Sequence, residues 1–203
     1  MDTSTIPTKN NLMRLKDKIE LSKQGHDLLE KKKIILTMEK EKIKKQKEEL
    51  ENKLNELLSK AYLKLKYASI DVGLDELINI SEEIESIDNI NIKYKTIMGV
   101  EIPSVVCEKS SVDLKYGLYG TTISVDECIV IFNEVKDMII ELAELENTIF
   151  RLDQGIKSVQ KRSNALQDII IPNDKLLVDR ISNILEERDR EEFTRLKVLK
   201  GRR

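Results

Sequence analysis

"VKDMIIELAELENTIFRLDQGIKSVQKRSNALQDIIIP", residues 135–172, decides how this chain is read. Alternating steps of three and four select Val135, Met138, Leu142, Leu145, Ile149, Leu152, Ile156, Val159, Ser163, Leu166 and Ile170, and ten of these eleven are apolar. That alternation is one narrow apolar stripe on a helix, the seam of a coiled coil. Just upstream, Ser124 and Glu127 in "SVDE" have the spacing of a capping box, which marks the helix start. The seam then runs into Pro172, which lacks an N–H and crowds the carbonyl of Asp168. Proline in that place is expected to kink the helix, with the helix continuing from Leu176 to about Leu199. The isoleucines just before it, 169–171, are expected to pack the seam where the backbone is weakest.

A lone stripe needs a partner, and the N-terminal third supplies one. No proline stands between Pro7 and Pro103, and from Thr8 to about Ser69 only Gly25 interrupts helix-forming composition. Sevens counted from Leu15 give Leu15, Ser22, Leu29, Leu36, Ile43, Leu50 and Leu57, six of them apolar. The neighbouring column is poorer: Leu12, Ile19, His26, Lys33, Lys40, Lys47, Leu54 and Ala61. In "EKEKIKKQKEELENK" (39–53) only Ile43 and Leu50 have apolar surface to bury, so most of that stretch faces water. A helix of about 60 residues would extend roughly 90 Å at 1.5 Å per residue, and it cannot fold usefully alone. Two long helices at opposite ends of one chain are therefore expected to pair antiparallel. Covalent linkage raises their effective concentration and favours this pairing over a homodimer.

Between them the pattern changes. "LDELINISEEIESI" (74–87) reads as one short helix. "INIKYKTIMGVEIPSVV" (90–106) alternates Ile90, Ile92, Tyr94 and Thr96, turns near Met98-Gly99 and resumes at Val105-Val106, which reads as a short hairpin. The glycines of "YGLYGTT" (116–122) mark a joint. The expected fold is mainly α: a long antiparallel two-helix coiled-coil hairpin with a short central helix and a β-hairpin. Its segments are an N-terminal shaft helix (1–69), a central segment (70–122) and a C-terminal shaft helix (123–203) kinked near Pro172.

Composition agrees. Of 203 residues 35% are charged and 4% aromatic, with no tryptophan, which suits long helices with a narrow core. The 35 basic and 37 acidic residues nearly cancel, and that balance points to no nucleic-acid partner. The longest apolar run, "IVIF" (129–132), is far shorter than the roughly 20 residues a membrane span needs. Cys107 and Cys128 are not in CxxC spacing and fit a reduced cytoplasmic setting better than a disulfide framework.

No catalytic constellation emerges. The single histidine, His26, stands at a seam position, and zinc would need further donors. No glycine-rich phosphate loop occurs, so no cofactor, metal or nucleotide is expected on this chain. Carboxylate pairs such as Glu82-Glu83 and Glu186-Glu187 read as solvated helix faces. Lys157, Lys161 and Arg162 form a basic cluster at helical spacing, either a wet face beside the seam or a contact with an acidic partner. Candidate partner-facing residues are these three with Lys9, Lys16, Lys23, Asn164 and Arg195. The basic ending "RLKVLKGRR" complements the negative end of a helix and needs no ligand to explain it.

Three segments in order carry a family resemblance. "PTKNNLMRLKDKIELSKQGHDLLEKKK" (7–33) resembles the opening of the D subunit of V-type and archaeal-type (V/A) rotary ATPases, through Pro7, Thr8, Leu12, Leu15, Lys16, Gly25, Leu28, Leu29 and Lys31 to Lys33. "KRSNALQDIIIP" (161–172) is similar to that family's basic-x-Asn-Ala-Leu segment ending in Ile-Pro, and "LEERDREEFTRLKVLK" (185–200) to its Phe-x-Arg-Leu-Lys ending. "MGVEIP" (98–103) resembles its mid-chain hairpin. Two departures stand out: Lys161 where arginine is common, and Gly155 where a better helix former is expected. The resemblance implies a non-catalytic central axle inside a hexamer of catalytic and non-catalytic subunits (A and B). It further implies a small F subunit at the side and a C/d subunit linking to the membrane ring. Such a chain is cytoplasmic, peripheral to the membrane without inserting into it, and carries torque for ATP synthesis or ion transport. Composition and heptads alone fit equally a non-rotary helical-hairpin adaptor.

Overall fold

A computed structural model describes residues 6–83, 90–107 and 121–200. The elements are α1 (Lys9–Asp71), α2 (Leu74–Glu83), β1 (Ile90–Ile97), β2 (Val100–Cys107), α3 (Ile123–Ala165), a π turn (Leu166–Ile170) and α4 (Ile171–Lys200). They fall into two compact units, one of Met1–Ile35 with Ile156–Arg203, the other of Leu36–Gly155. The expected mainly α fold with two long helices, a short central helix and a β-hairpin is the fold observed.

In the first unit Thr8 caps α1. Its hydroxyl accepts the Asn11 N–H at 3.2 Å, filling one of the donors a helix start leaves open. Leu15 and Ile19 of α1 are buried, as are Val159, Ser163, Asp174 and Ile181 on the opposing chain segment. Lys18 pairs with Asp174, and His26 lies beside Gln167, so rising numbers on α1 meet falling numbers on its partner. The two stretches are antiparallel.

Helix does continue past Pro172, but a π turn precedes it, closed by Ile171 N–H to Leu166 O. One extra residue in the turn widens the loop and moves backbone carbonyls out of the ordinary helical spacing. This gives the proline ring room and absorbs its missing donor. Helix resumes at Ile171, earlier than the expected Leu176, and the seam runs on through 170, 174, 177 and 181, while Leu176 is 68% exposed. Ile169 is also exposed, while Ile170 and Ile171 are half-buried, so only part of the isoleucine run packs.

The second unit pairs the rest of α1 with α3. Leu54, Ala61 and Val135 form one core cluster, and Ala68, Ile80, Val125 and Cys128 form another. Phe132 packs against both and meets Tyr62 edge-to-face at 6.2 Å. Gly73, at φ 93, turns the chain out of α1 and into α2, the left-handed conformation that glycine adopts without a Cβ penalty. The expected capping box does not form as such. The Ser124 hydroxyl donates to Asp71 and Glu127 takes Lys64, so both side chains tie α3 to α1. Of the expected short helix the described part is Leu74–Glu83; 84–87 lies outside the described residues, as does most of the expected joint at 116–122.

The hairpin forms with its turn at the expected Met98-Gly99, which sets Ile97 opposite Val100. Both turn residues have positive φ (Met98 49, Gly99 78), the pairing that matches the twist of the flanking strands. The sheet meets α3 at Gly155 and through the Val105 N–H, which donates to Glu144. A Cβ at Gly155 would stand 2.6 Å from a Val100 methyl, so the glycine that weakens the helix by sequence alone is the site of closest approach.

Leu152 is fully buried, so Leu152→Ala should cost about 2–5 kcal/mol, whereas exposed Leu176→Ala should change stability by less than about 0.5 kcal/mol, read by chemical denaturation. Gly155→Ala should loosen the hairpin despite its better helix propensity, and adding Val100→Ala should restore it; faster amide exchange of β2 in the single variant alone is the expected result.

Candidate functional site

The functional surface of a helical pair is its seam and the faces beside it. In the first unit the seam is built from polar pairs as much as from hydrophobes. Asp174 is only 5% exposed; Lys18 Nζ donates to its Oδ1 at 2.9 Å and also sits 2.9 Å from Oδ2, which takes no hydrogen bond of its own. A carboxylate withdrawn from water this far is sustained by its cation, and removing either partner would strand the other. One turn away from Pro172, His26 Nε2 lies 3.2 Å from the Gln167 side-chain oxygen, within the π turn, while its Nδ1 lies 3.3 Å from Asp27. His26 is thus a packed seam histidine.

Further along, the buried Ser163 hydroxyl donates to Glu30 at 2.8 Å. This hydrogen bond, followed by the one from Lys33, holds the Glu30 carboxyl below its ordinary value, because both favour the charged form.

In the second unit the ties across the seam are ionic. Lys40 meets Asp153 and Lys47 meets Glu146, each at 2.8 Å, and Lys64 meets Glu127. Hydrogen bonds donated by Lys47 to Glu146 and then to Glu51 hold its ammonium pKa above the usual lysine value. An open apolar groove of about 680 Å³ lies between α1, α2 and α3, lined by Leu58, Tyr62, Leu77, Ile80, Phe132 and Ile139 among others. Ser81, Asn133 and Lys136 supply its polar lining, which places no acid–base pair there. Burial pushes the Cys128 thiol up, away from the reactive thiolate. Among the described residues no group of three or more His, Cys, Asp or Glu could hold a metal ion.

All eight candidate partner-facing residues fall in the first unit on exposed positions, and seven of them make no cross-helix bond among the described residues. Lys9 is the exception, 3.6 Å from Asp189 of α4. Lys9, Lys16 and Lys23 repeat every seven residues along α1, so they share one stripe beside the seam. Lys157 and Lys161 share a face of α3, with Arg162 turned to the side. Asn164 accepts a hydrogen bond from Gln160, and Arg195 lies 3.7 Å from Glu191. The α1 stripe and the α3 cluster share no hydrogen bond or ion pair among the described residues. Sequence reading missed Lys18 and Asp174. The available signal was the seam itself: continued past Pro172 in steps of four and three, it falls on Asp174.

The geometry defines a chain of the two-helix hairpin class, with side-chain pairs bridging its helices. The chain belongs to the D-subunit family of ATP synthases, whose model matches residues 11–201. It is 32% identical over 197 residues to the D subunit of the V-type ATP synthase of Thermotoga neapolitana, covering 97% of each chain. It is 36% identical over 198 residues to the D subunit of the A-type ATP synthase of Thermococcus sibiricus, covering 96% of this chain and 92% of that one. The corresponding A-type protein of Methanosphaera stadtmanae is 35% identical over 201 residues, with the same coverage.

The depressed Glu30 pKa sets a pH dependence. A carboxyl lowered in the folded state stabilises that state above the unfolded pKa, and the contribution is lost as pH falls through the folded pKa. The wild-type melting temperature should therefore fall more steeply on acidification through the carboxylate range than that of Ser163→Ala. Parallel acid profiles for the two proteins would contradict the assignment.

Proposed function

We propose that this chain is the central-stalk rotor subunit of a V/A-type ATPase, transmitting torque between an ATP-hydrolysing or ATP-synthesising hexamer and an ion-translocating membrane ring. The observation that carries this reading is the side-chain locking of two antiparallel helices in a chain of the ATP synthase D-subunit family. In each unit, ion pairs and buried side chains bridge the helices, so neither helix slides without breaking several contacts at once. A pair locked in this way twists as a body, which is the property an axle needs.

The exposed Lys9, Lys16, Lys23, Lys157, Lys161, Arg162, Asn164 and Arg195 then face the inside of the hexamer. Long, hydrated lysines make contacts that are easily remade, whereas buried aromatic anchors would hold one orientation. The partners are the catalytic and non-catalytic hexamer subunits, a small F subunit at the side and a C/d subunit at the ring. The chain itself is non-catalytic and stands in the cytoplasm, peripheral to the membrane. No helix of the described residues is long and apolar enough to cross a bilayer.

Tagging the chain in its own cells and identifying what purifies with it tests this reading. Two large ATPase subunits and a small third one, released only when the whole complex is dissociated, are the expected result. Recovery of the chain alone, or with unrelated proteins, would overturn it in favour of a helical adaptor.

A further inference from the structure

The hairpin has two edges, and they differ. In a hairpin closed by a two-residue turn, the pairs Ile97–Val100, Lys95–Ile102, Lys93–Ser104 and Asn91–Val106 turn their N–H and C=O groups inward to each other. The intervening pairs, Thr96–Glu101, Tyr94–Pro103 and Ile92–Val105, turn theirs outward. On β2 two of those outward positions are accounted for: Pro103 has no N–H, and Val105 N–H donates to Glu144 of α3 at 2.8 Å. On β1 the outward groups of Ile92, Tyr94 and Thr96 have no hydrogen-bond partner among the described residues, and Ile92 and Tyr94 are 55% and 60% exposed.

An open edge is normally blunted by proline, a bulge or a covering element, because it templates another strand. β2 has such protection and β1 does not. β1 also presents two distinct faces. Ile90, Ile92 and Tyr94 form an exposed apolar row on one, while Lys93 and Lys95 stand on the other, neither in an ion pair among the described residues.

We propose that β1 is a strand-addition site. An extended segment of a neighbouring subunit pairs with its edge, with apolar side chains beside Ile92 and Tyr94 and carboxylates beside Lys93 and Lys95. A second copy of this chain fits poorly, because pairing β1 with itself sets lysines against lysines. This inference rests on the chain being held in the multi-subunit assembly proposed above, and it adds the chemistry of one contact within it.

Single-amide hydrogen exchange, run on the free full-length chain and on the purified complex, tests it. In the free chain the amides of Ile92, Tyr94 and Thr96 should exchange fast while those of Lys93, Lys95 and Ile97 are slowed by the ladder. In the complex the three outward amides should slow by about tenfold or more, the equivalent of one net hydrogen bond each. Tyr94→Pro removes an outward donor that the hairpin itself does not use, and K93E/K95E reverses the charge while leaving every backbone donor in place. Either should return the outward amides toward their free rates, with K93E/K95E deciding if Tyr94→Pro disturbs the ladder. Outward amides that exchange in an intact complex as they do in the free chain would overturn the strand proposal alone. Protection that K93E/K95E leaves untouched would overturn the acidic character of the partner strand. A chain that enters no complex would overturn this inference together with the rotor reading.

Discussion

The rest of the structure depends on one interaction, the pairing of α1 against the returning helix along a thin seam. Neither helix has enough apolar surface to be stable alone in water, since isolated helices draw little from propensity and most from packing. The seam is also directional. In each of the five ion pairs that cross it among the described residues, the lysine is on α1 (9, 18, 40, 47, 64) and the carboxylate is on α3 or α4 (189, 174, 153, 146, 127). The exposed pairs among them, all but Lys18–Asp174, contribute only about 0–1 kcal/mol each. Their larger effect is on choice of partner: a second α1 in the same place would bring lysine to lysine. The charge pattern therefore favours α3 and α4 as the partner of α1, and covalent linkage favours those of the same chain.

Where the seam meets trouble, the chain absorbs it locally. Pro172 is accommodated by a single widened turn, and α4 resumes at once. The seam there passes to Asp174, a buried carboxylate that Lys18 holds. Polar residues at seam positions cost stability, and their established use is to fix register. A similar compromise is made at Gly155, where the lost helix propensity makes room for Val100 and seats the hairpin on α3.

Much of this was legible in the sequence. All eleven downstream seam positions from Val135 to Ile170 are buried or half-buried, because the three-four alternation reports directly which side of a helix meets its partner. The Met98-Gly99 turn was legible for a similar reason: few residue pairs support a tight hairpin loop. Three features were not. The π turn depends on how the backbone yields to proline, and a kink and a widened turn share one sequence signature. Ser124 and Glu127 satisfied a local capping rule yet were drawn into bonds with Asp71 and Lys64, residues far off in sequence. Gly155 looked like a flaw because the strand packed on it could not be inferred from helix propensity. Partner-facing residues are the least legible, since a lysine facing water and a lysine facing an acidic sleeve obey the same pattern.

The rotor account joins these elements: a directional seam that locks two helices, a proline absorbed without loss of helix, and basic side chains kept on the outside. Its central claim is motion. The most direct measurement fixes the complex to a surface through its hexamer, attaches a bead to this chain, and supplies ATP. Unidirectional rotation of the bead is the result the account predicts. A bead that stays still while the same complexes hydrolyse ATP would contradict it.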